Sequence, residues 1–287
     1  MLFAHLSDLH LRDAGDVTAL EQQLDRIAAR APVHLAITGD LLDRWDPRLL
    51  ERVLDVLDAR GFLDAQRLTI LHGNHDLASS GGYPRQRRDL WRLAWRFWDP
   101  PPLVASRKRR FYQTIHDRAA GVARQAPWSK TLNGGLTIAV IDTVPVHWWP
   151  VGWQRRALTV KHAEGCVRHE QLEWLTGQTS PVLLVHHFPL EAPQFAWQTT
   201  GGLRWLIDEV RVPMAIPQPG RTALQQAAAR AGTRLLLCGH VHRARLEWHD
   251  GIAVGLNGQS GAEWAQRTIA FYDIGASAIT AAFEPGV

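Results

Sequence analysis

Five short apolar runs in this chain each end in residues able to bind a metal ion. Leu2–Leu6 runs into Asp8 and His10, Val33–Ile37 into Gly39-Asp40-Leu41-Leu42-Asp43, and Leu68–Leu71 into Gly73-Asn74-His75-Asp76. Val182–Val185 leads to His186-His187, and Leu235–Cys238 to Gly239-His240-Val241-His242. One histidine after a strand is ordinarily a packed or surface residue. Asp8, His10, Asp40, Asn74, His186, His240 and His242 together, with glycine opening three of the motifs, point to a metal centre. Carboxylate, imidazole and carboxamide donors without thiolate suit Mn, Fe or Zn in a catalytic site rather than a structural cysteine-bound zinc. Seven donors exceed what one ion with open positions needs, so the set implies two divalent or transition metal ions. Two ions about 3.5–4 Å apart can clamp a phosphoryl group and hold a bridging hydroxide as nucleophile. One carboxylate must then be shared, and Asp40, central in the motif order, is the candidate.

The neighbours of these donors have second readings. His75 adjoins Asn74 and can stand at the metal edge without ligating, where a positioned proton donor contributes about 10²–10⁴-fold. Asp76 either orients that imidazole or caps the turn. Asp43 is a carboxylate behind the donors or a polar residue opening the loop before Asp46. His187 alternates to the opposite face from His186. His5 and His72 read as core or supporting residues, and Cys238 as a small buried hydrophobe.

The elements that must position this set alternate in type. Val17, Leu20, Leu24, Ile27 and Ala28 share one helical face before Pro32. Leu50, Val53, Leu54 and Leu57 share another, with Asp46 as N-cap, Pro47 at the first helical position and Gly61 as the stop. Strand–helix–strand repeats of this kind predict an α/β fold with a largely parallel sheet, whose ligands gather at the carboxyl ends of the strands. Leu136–Ile141 is a further strand. Ile252–Val254, Thr268–Tyr272 and Ala278–Phe283 read as strands without intervening helices.

Taken together, Asp8-Leu9-His10, Gly39-Asp40-Leu41-Leu42-Asp43, Gly73-Asn74-His75-Asp76, His186 and Gly239-His240-Val241-His242 resemble the calcineurin-like metallophosphoesterase superfamily. The resemblance implies a four-layer α/β/β/α sandwich of two mixed sheets. It implies Asp8, His10, Asp40 and His242 around one metal, Asp40, Asn74, His186 and His240 around the other, and His75 as proton donor. Ile141-Asp142-Thr143, with Gln171, Trp174 and Leu175, is similar to a passage of bacterial class III cyclic-nucleotide phosphodiesterases. That similarity implies a small phosphodiester or nucleotide substrate, most simply a cyclic nucleotide. A phosphomonoesterase or a nuclease acting on nucleic-acid ends is the alternative, with a non-catalytic metal-binding scaffold behind it.

Composition narrows the classes further. The 287 residues suit a single domain spanning 1–287, with a cap or insertion at about 81–132. Twenty-nine Arg stand against three Lys, yet the formal net charge is only +4. Cys166 and Cys238 suggest no disulfide framework. Polar residues interrupt the first stretch of chain and no apolar run approaches a span, so neither a signal peptide nor a membrane is expected and the cytoplasm is the default. From Tyr83 to Tyr112 nine basic residues meet two acids, with Trp91, Trp95 and Trp98 at helical spacing among Arg87, Arg88, Arg92 and Arg96. The tract reads as a lid over the site or as an amphipathic helix that packs or joins a homodimer. Single-stranded nucleic acid is a third reading, disfavoured by the modest charge.

Overall fold

The computed structural model describes residues 1–79, 99–146, 148–149, 151–161, 164–179, 182–185, 189–190, 195–198, 208–257 and 268–285. Strand β1 (Leu2–Leu6) is followed by helix α1 (Ala14–Ala29), β2 (His34–Thr38), α2 (Pro47–Ala59) and β3 (Leu68–Leu71). Both early helices start on an aspartate. Asp13 accepts from the amides of Gly15 and Asp16, and Asp46 from those of Arg48 and Leu49, satisfying donors that the first turn leaves open. Pro47 occupies the first turn of α2, and Gly61 lies just past its end at φ 66°. A longer helix, α3 (Pro101–Arg118), comes next. After it follow β4 (Trp128–Thr131), β5 (Thr137–Ile141), β6 (Val151–Gln154) and β7 (Ala157–Val160). Helix α4 (His169–Thr176), β8 (Val182–Val185), β9 (Phe195–Gln198), β10 (Glu209–Val212) and α5 (Gly220–Arg230) continue the chain. The last elements are β11 (Leu235–Cys238), β12 (Arg245–His249), β13 (Ile252–Leu256), β14 (Thr268–Ile274) and β15 (Ile279–Pro285).

Among the described residues the strands form three sheets. The first has the order β15-β14-β1-β2-β3, parallel across β1, β2 and β3 and antiparallel at β14 and β15. The second has the order β12-β13-β11-β8-β5-β4, with a parallel centre and antiparallel strands at both edges. Side-chain alternation sorts the residues of both into layers. Ala4, Leu6, Leu35, Ile37, Ile269 and Phe271 face α1, α2 and α3. Ala139, Ile141, Leu236 and Cys238 face α4 and α5. Phe3, Ala36, Ile138, Val140, Leu235, Leu237, Ala270 and Tyr272 fill the space between the sheets. Helix, sheet, sheet, helix is the four-layer sandwich that the motifs imply.

The basic tract and a third sheet stand apart from the two main sheets. Phe111, Tyr112 and Ile115 of α3 are buried in the same cluster as Ala4 and Leu35, so residues 101–112 of the basic tract lie in a helix of an outer layer, packed against the first sheet. Trp91, Trp95 and Trp98, and the arginines among them, lie outside the described residues. The third sheet, β6-β7-β10-β9, was not foreseen. Its four-residue strands, Val-Gly-Trp-Gln, Ala-Leu-Thr-Val and Glu-Val-Arg-Val among them, are too short and mixed for a periodic signal. No helix among the described residues is long and apolar enough to cross a membrane.

Candidate metal centre

Beyond the ends of β1 and β2 the two chain segments stay zipped. Asp8 N donates to Gly39 O at 3.1 Å, His10 N to Asp40 O at 2.9 Å and Leu11 N to Leu41 O at 3.1 Å. These bonds hold an unusual backbone. Asp8, His10, Asp40, His240 and His242 have φ of 54°, 45°, 48°, 75° and 52°. They are five of the eight non-glycine residues at positive φ among the described residues. L-residues adopt that region at a cost of order 1–3 kcal/mol each, and such residues persist where the surroundings over-determine them. Here the excursion turns polar side chains toward one point.

Two of the glycines that open motifs are required by close approach. A Cβ on Gly73 would lie 2.8 Å from Asp40 Cγ and closer still to Asp40 Oδ1 and N. A Cβ on Gly239 would lie 2.7 Å from Asp8 Oδ2 and overlap Ser7 Oγ. The loops after β3 and β11 are therefore pressed onto the carboxylates of the loops after β2 and β1.

Asp8 is wholly buried and joins the two sheets. Its carboxylate accepts from His240 N at 3.1 and 3.0 Å and stands 3.2 Å from His242 Nε2. His10 Nε2 lies 3.4 Å from His242 Nε2, 4.0 Å from Asp8 Oδ1 and 3.7 Å from Asp40 Oδ2. Asp8, His10 and His242 thus offer one ligand atom each within 4.8 Å of one another. Burial, then the charge of His75, pulls the His10 imidazole down to about 3, against the pull of Asp40 and Asp8. His10 is therefore neutral near pH 7, the form that ligates a metal. Buried carboxylates facing two imidazole nitrogens at 3–4 Å form a donor set that fits a divalent cation.

His75 is held beside this set. Its amide donates to Asp40 Oδ1 at 2.8 Å, and its Nδ1 lies 3.0 Å from Asp43 O and 3.7 Å from Asp43 Oδ1. The ring meets that of His10 edge-on at 4.6 Å. Burial lowers the affinity of this imidazole for its proton, but Asp40 and then Asp43 outweigh it and hold the group up at about 9. His10, Asp43 and His75 form a second convergent triad.

Of its two readings, orienting His75 or capping the turn, Asp76 makes the contacts of the cap. Its carboxylate accepts from Gly73 N at 2.7 Å, Leu42 N at 2.7 Å and Leu41 N at 3.3 Å, so it caps the turn and ties the β2 and β3 loops together. The residue at the His75 ring is Asp43. Asp76 is the next residue in the chain and Asp43 comes from the loop after β2, and only the packing of that loop decides which carboxylate faces the imidazole. Asn74 is buried next to His75, and His240 is buried with its amide on Asp8. His186 and His187 lie outside the described residues. Neither His5 nor His72 joins the donor set. His5 Nε2 pairs with Thr38 Oγ1 at 2.7 Å, and His72 packs edge-on against Phe111 and Tyr112.

Asn257 was not anticipated. Its side chain donates to His5 O at 2.6 Å and Thr268 O at 3.2 Å, tying the end of β13 to β1 close to the donors. The sequence marks it only as an Asn-Gly pair after an apolar run, which reads as a turn. Asp142, after β5, pairs with Lys108 of α3 and exchanges two hydrogen bonds with Gln171 of α4: Asp142 N donates to Oε1 at 2.6 Å and Nε2 donates to Asp142 O at 3.0 Å.

This fold is shared with solved structures. A dimetal phosphatase from Danio rerio superposes with a TM-score of 0.62 at 13% identity, covering 100% of this chain and 96% of that one. The protein TT1561 of Thermus thermophilus does so with 0.53 at 11% identity, covering 98% and 97%. No curated protein sequence matches the chain significantly. The family model for calcineurin-like phosphoesterases matches residues 1–244, from the first strand through the last histidine of the centre. A match of that extent covers every loop that carries a donor. The chain belongs to the calcineurin-like phosphoesterases, and is a hydrolytic metallophosphoesterase.

Proposed function

We propose that the chain is a phosphodiesterase of small molecules in the cytoplasm, with a cyclic nucleotide as its substrate class. The observation that carries the reading is His75, locked by Asp43 O on Nδ1 and by Asp40 on its amide, at the rim of the Asp8–His10–His242 donors. In this reading Asp8, His10, Asp40 and His242 hold one ion, and Asp40, Asn74, His186 and His240 the other. When bound, the ions supply Lewis-acid activation of the phosphoryl group and of water. Asp43 fixes the His75 ring through Nδ1, which leaves Nε2 as the nitrogen that delivers a proton to the departing oxygen. Asp76 keeps the loops of Asp40 and His75 in register from behind. The choice of a cyclic nucleotide rests on the Ile141-Asp142-Thr143 and Gln171…Trp174-Leu175 likeness. In support, Asp142 and Gln171 act as one hydrogen-bonded unit beside the α3 helix.

The test is a metal-reconstituted assay over cyclic nucleotides, a bis-nitrophenyl diester and a nitrophenyl monoester. Diester turnover should exceed monoester turnover, and His75→Ala should lose about 10²-fold or more on the cyclic nucleotide while losing less on the nitrophenyl diester, whose leaving group needs little protonation. Asp40→Ala should bind fewer than two ions. Equal losses on both diesters would reject His75 as proton donor, and a clear monoester preference would reject the diesterase reading.

A further inference from the structure

We propose that the β6–β7 hairpin, with the Trp148–Trp149 segment that leads into it, docks the protein onto an anionic phospholipid surface. The inference goes beyond the reaction at the metal centre and does not depend on which ester is cleaved. Its first observation is aromatic exposure. Trp148, Trp149 and Trp153 are 70%, 73% and 53% exposed, and Val146 beside them is exposed as well. Scattered exposed apolar residues are ordinary, whereas three indoles within six residues form a patch of the kind that marks an interaction surface.

The second observation is where the patch sits on its sheet. In the hairpin Val151 pairs with Val160 and Trp153 with Leu158, and Leu158 pairs with Val210 of β10. Directly paired residues share a face, so these side chains form one apolar face of the third sheet. One end of that face is covered: Val160, Val210, Val212 and Met214 are buried, with Val241 packed against them between His240 and His242. The other end, at Trp153, runs out into solvent at the hairpin turn. An apolar face built at one end and bare at the other is a face awaiting a partner.

The third observation is charge. No carboxylate lies between Asp142 and Glu164, and the segment carries Arg155, Arg156 and Lys161. Arg155 and Arg156 make the turn and are exposed. Arg156 pairs with Asp208, and Lys161 with Glu164. A row of free cations to neutralise successive phosphates, as a nucleic-acid strand requires, is therefore not what the hairpin offers. It offers indole rings with arginine at the tip. Indoles partition to the lipid headgroup region, and each added cation near an anionic leaflet strengthens binding severalfold.

Sedimentation of the intact protein with phosphatidylcholine vesicles, with and without one-quarter phosphatidylglycerol, tests this. Binding to the anionic vesicles is expected, weaker on phosphatidylcholine alone. It should be lost in Trp148→Ala/Trp149→Ala/Trp153→Ala and reduced severalfold in Arg155→Glu, with turnover of a soluble chromogenic diester unchanged in both. Should the triple variant fail to fold, Trp149→Ala and Trp153→Ala made singly take its place, each expected to bind the anionic vesicles more weakly, and undiminished binding by both overturns the proposal. No vesicle binding by the native chain, or binding indifferent to the three tryptophans, also overturns it. Tryptophan-dependent binding of a single-stranded oligonucleotide without vesicle binding would assign the patch to nucleic acid. A dimer in solution that the triple variant dissociates, again without vesicle binding, would assign it to a second copy.

Discussion

The loops at the carboxyl end of the first sheet and the small third sheet flank the same metal-binding loop, yet they are built on opposite terms. In the first region polar groups are buried and the backbone is forced into left-handed turns at Asp8, His10 and Asp40. Every such departure is held by contacts from far along the chain, such as Asp76 on the Leu41 and Leu42 amides and His240 on Asp8. In the third sheet the strands are short, the buried cluster among the described residues is four side chains, and large aromatic surface faces solvent. Precision is concentrated where charge must converge. The neighbouring sheet is thin enough to serve as a platform.

The contrast breaks most severely at Gly73. Gly73→Ala places a methyl group against the Asp40 carboxylate and amide, and neither is a flexible chain end that can step aside. Overpacking of this kind costs about 1–3 kcal/mol, and a donor displaced by an ångström costs about 10²-fold in rate. Melting temperature should drop, and kcat/KM on a chromogenic diester should fall at least that far. Near-normal kinetics would mean that the β2 and β3 loops are not held in the register seen here.

A second measurement separates buried histidines that serve the site from those that serve the fold. His34 lies at the opposite end of the first sheet, bonded to Gln66 O at 2.8 Å and Thr69 Oγ1 at 2.9 Å. Burial, then the charge of Lys130, pulls it down from 6.5 to about 3, against the hydrogen bond to Gln66. The unfolded chain therefore takes up this proton first as pH falls. The stability concerned is whole above pH 6.5 and declines through the window from 6.5 to 3, by about 1.4 kcal/mol per pH unit for one group. Unfolding free energies from denaturant melts across that window should give His34→Gln a shallower pH dependence than the native chain, by about that one-group slope. An unchanged slope in the variant would place the acid sensitivity elsewhere.

The smallest effect is expected in the third sheet. Val210→Ala removes two methyl groups from a four-residue cluster, worth at most about 1.5 kcal/mol. Leu35→Ala in the first core should cost about 2–5 kcal/mol. Turnover of a soluble diester should be unaffected by Val210→Ala. A loss of activity there would show that the third sheet positions His240 and His242 as strictly as the first sheet positions Asp8.

Much of the first region was legible in the sequence because its logic is local. Each donor follows an apolar strand directly, and Asp46, Pro47 and Gly61 bracket α2 by their own chemistry. What could not be read depends on contacts made across the fold. Asp43 and Asp76 are both carboxylates near His75, and only the zipped β1 and β2 loops decide that Asp43 faces the ring while Asp76 caps amides. Asn257 looks like a turn residue until β13 is laid beside β1. In α3, four consecutive basic residues from Arg107 to Arg110 mask the buried face of Phe111, Tyr112 and Ile115.

The bond from the His240 amide to Asp8 spans 232 residues of sequence. During synthesis Asp8 leaves the ribosome long before its partner exists. Strand β1 also waits for β14 to cover one of its edges. A growing chain therefore cannot assemble the Asp8–His10–His242 pocket, whatever cations surround it, until the loop after β11 has been made. Hydrolytic competence therefore waits for the finished fold, because a truncated chain that ends before His240 keeps the His10–Asp43–His75 group but lacks both the amide that Asp8 accepts from and the His242 donor.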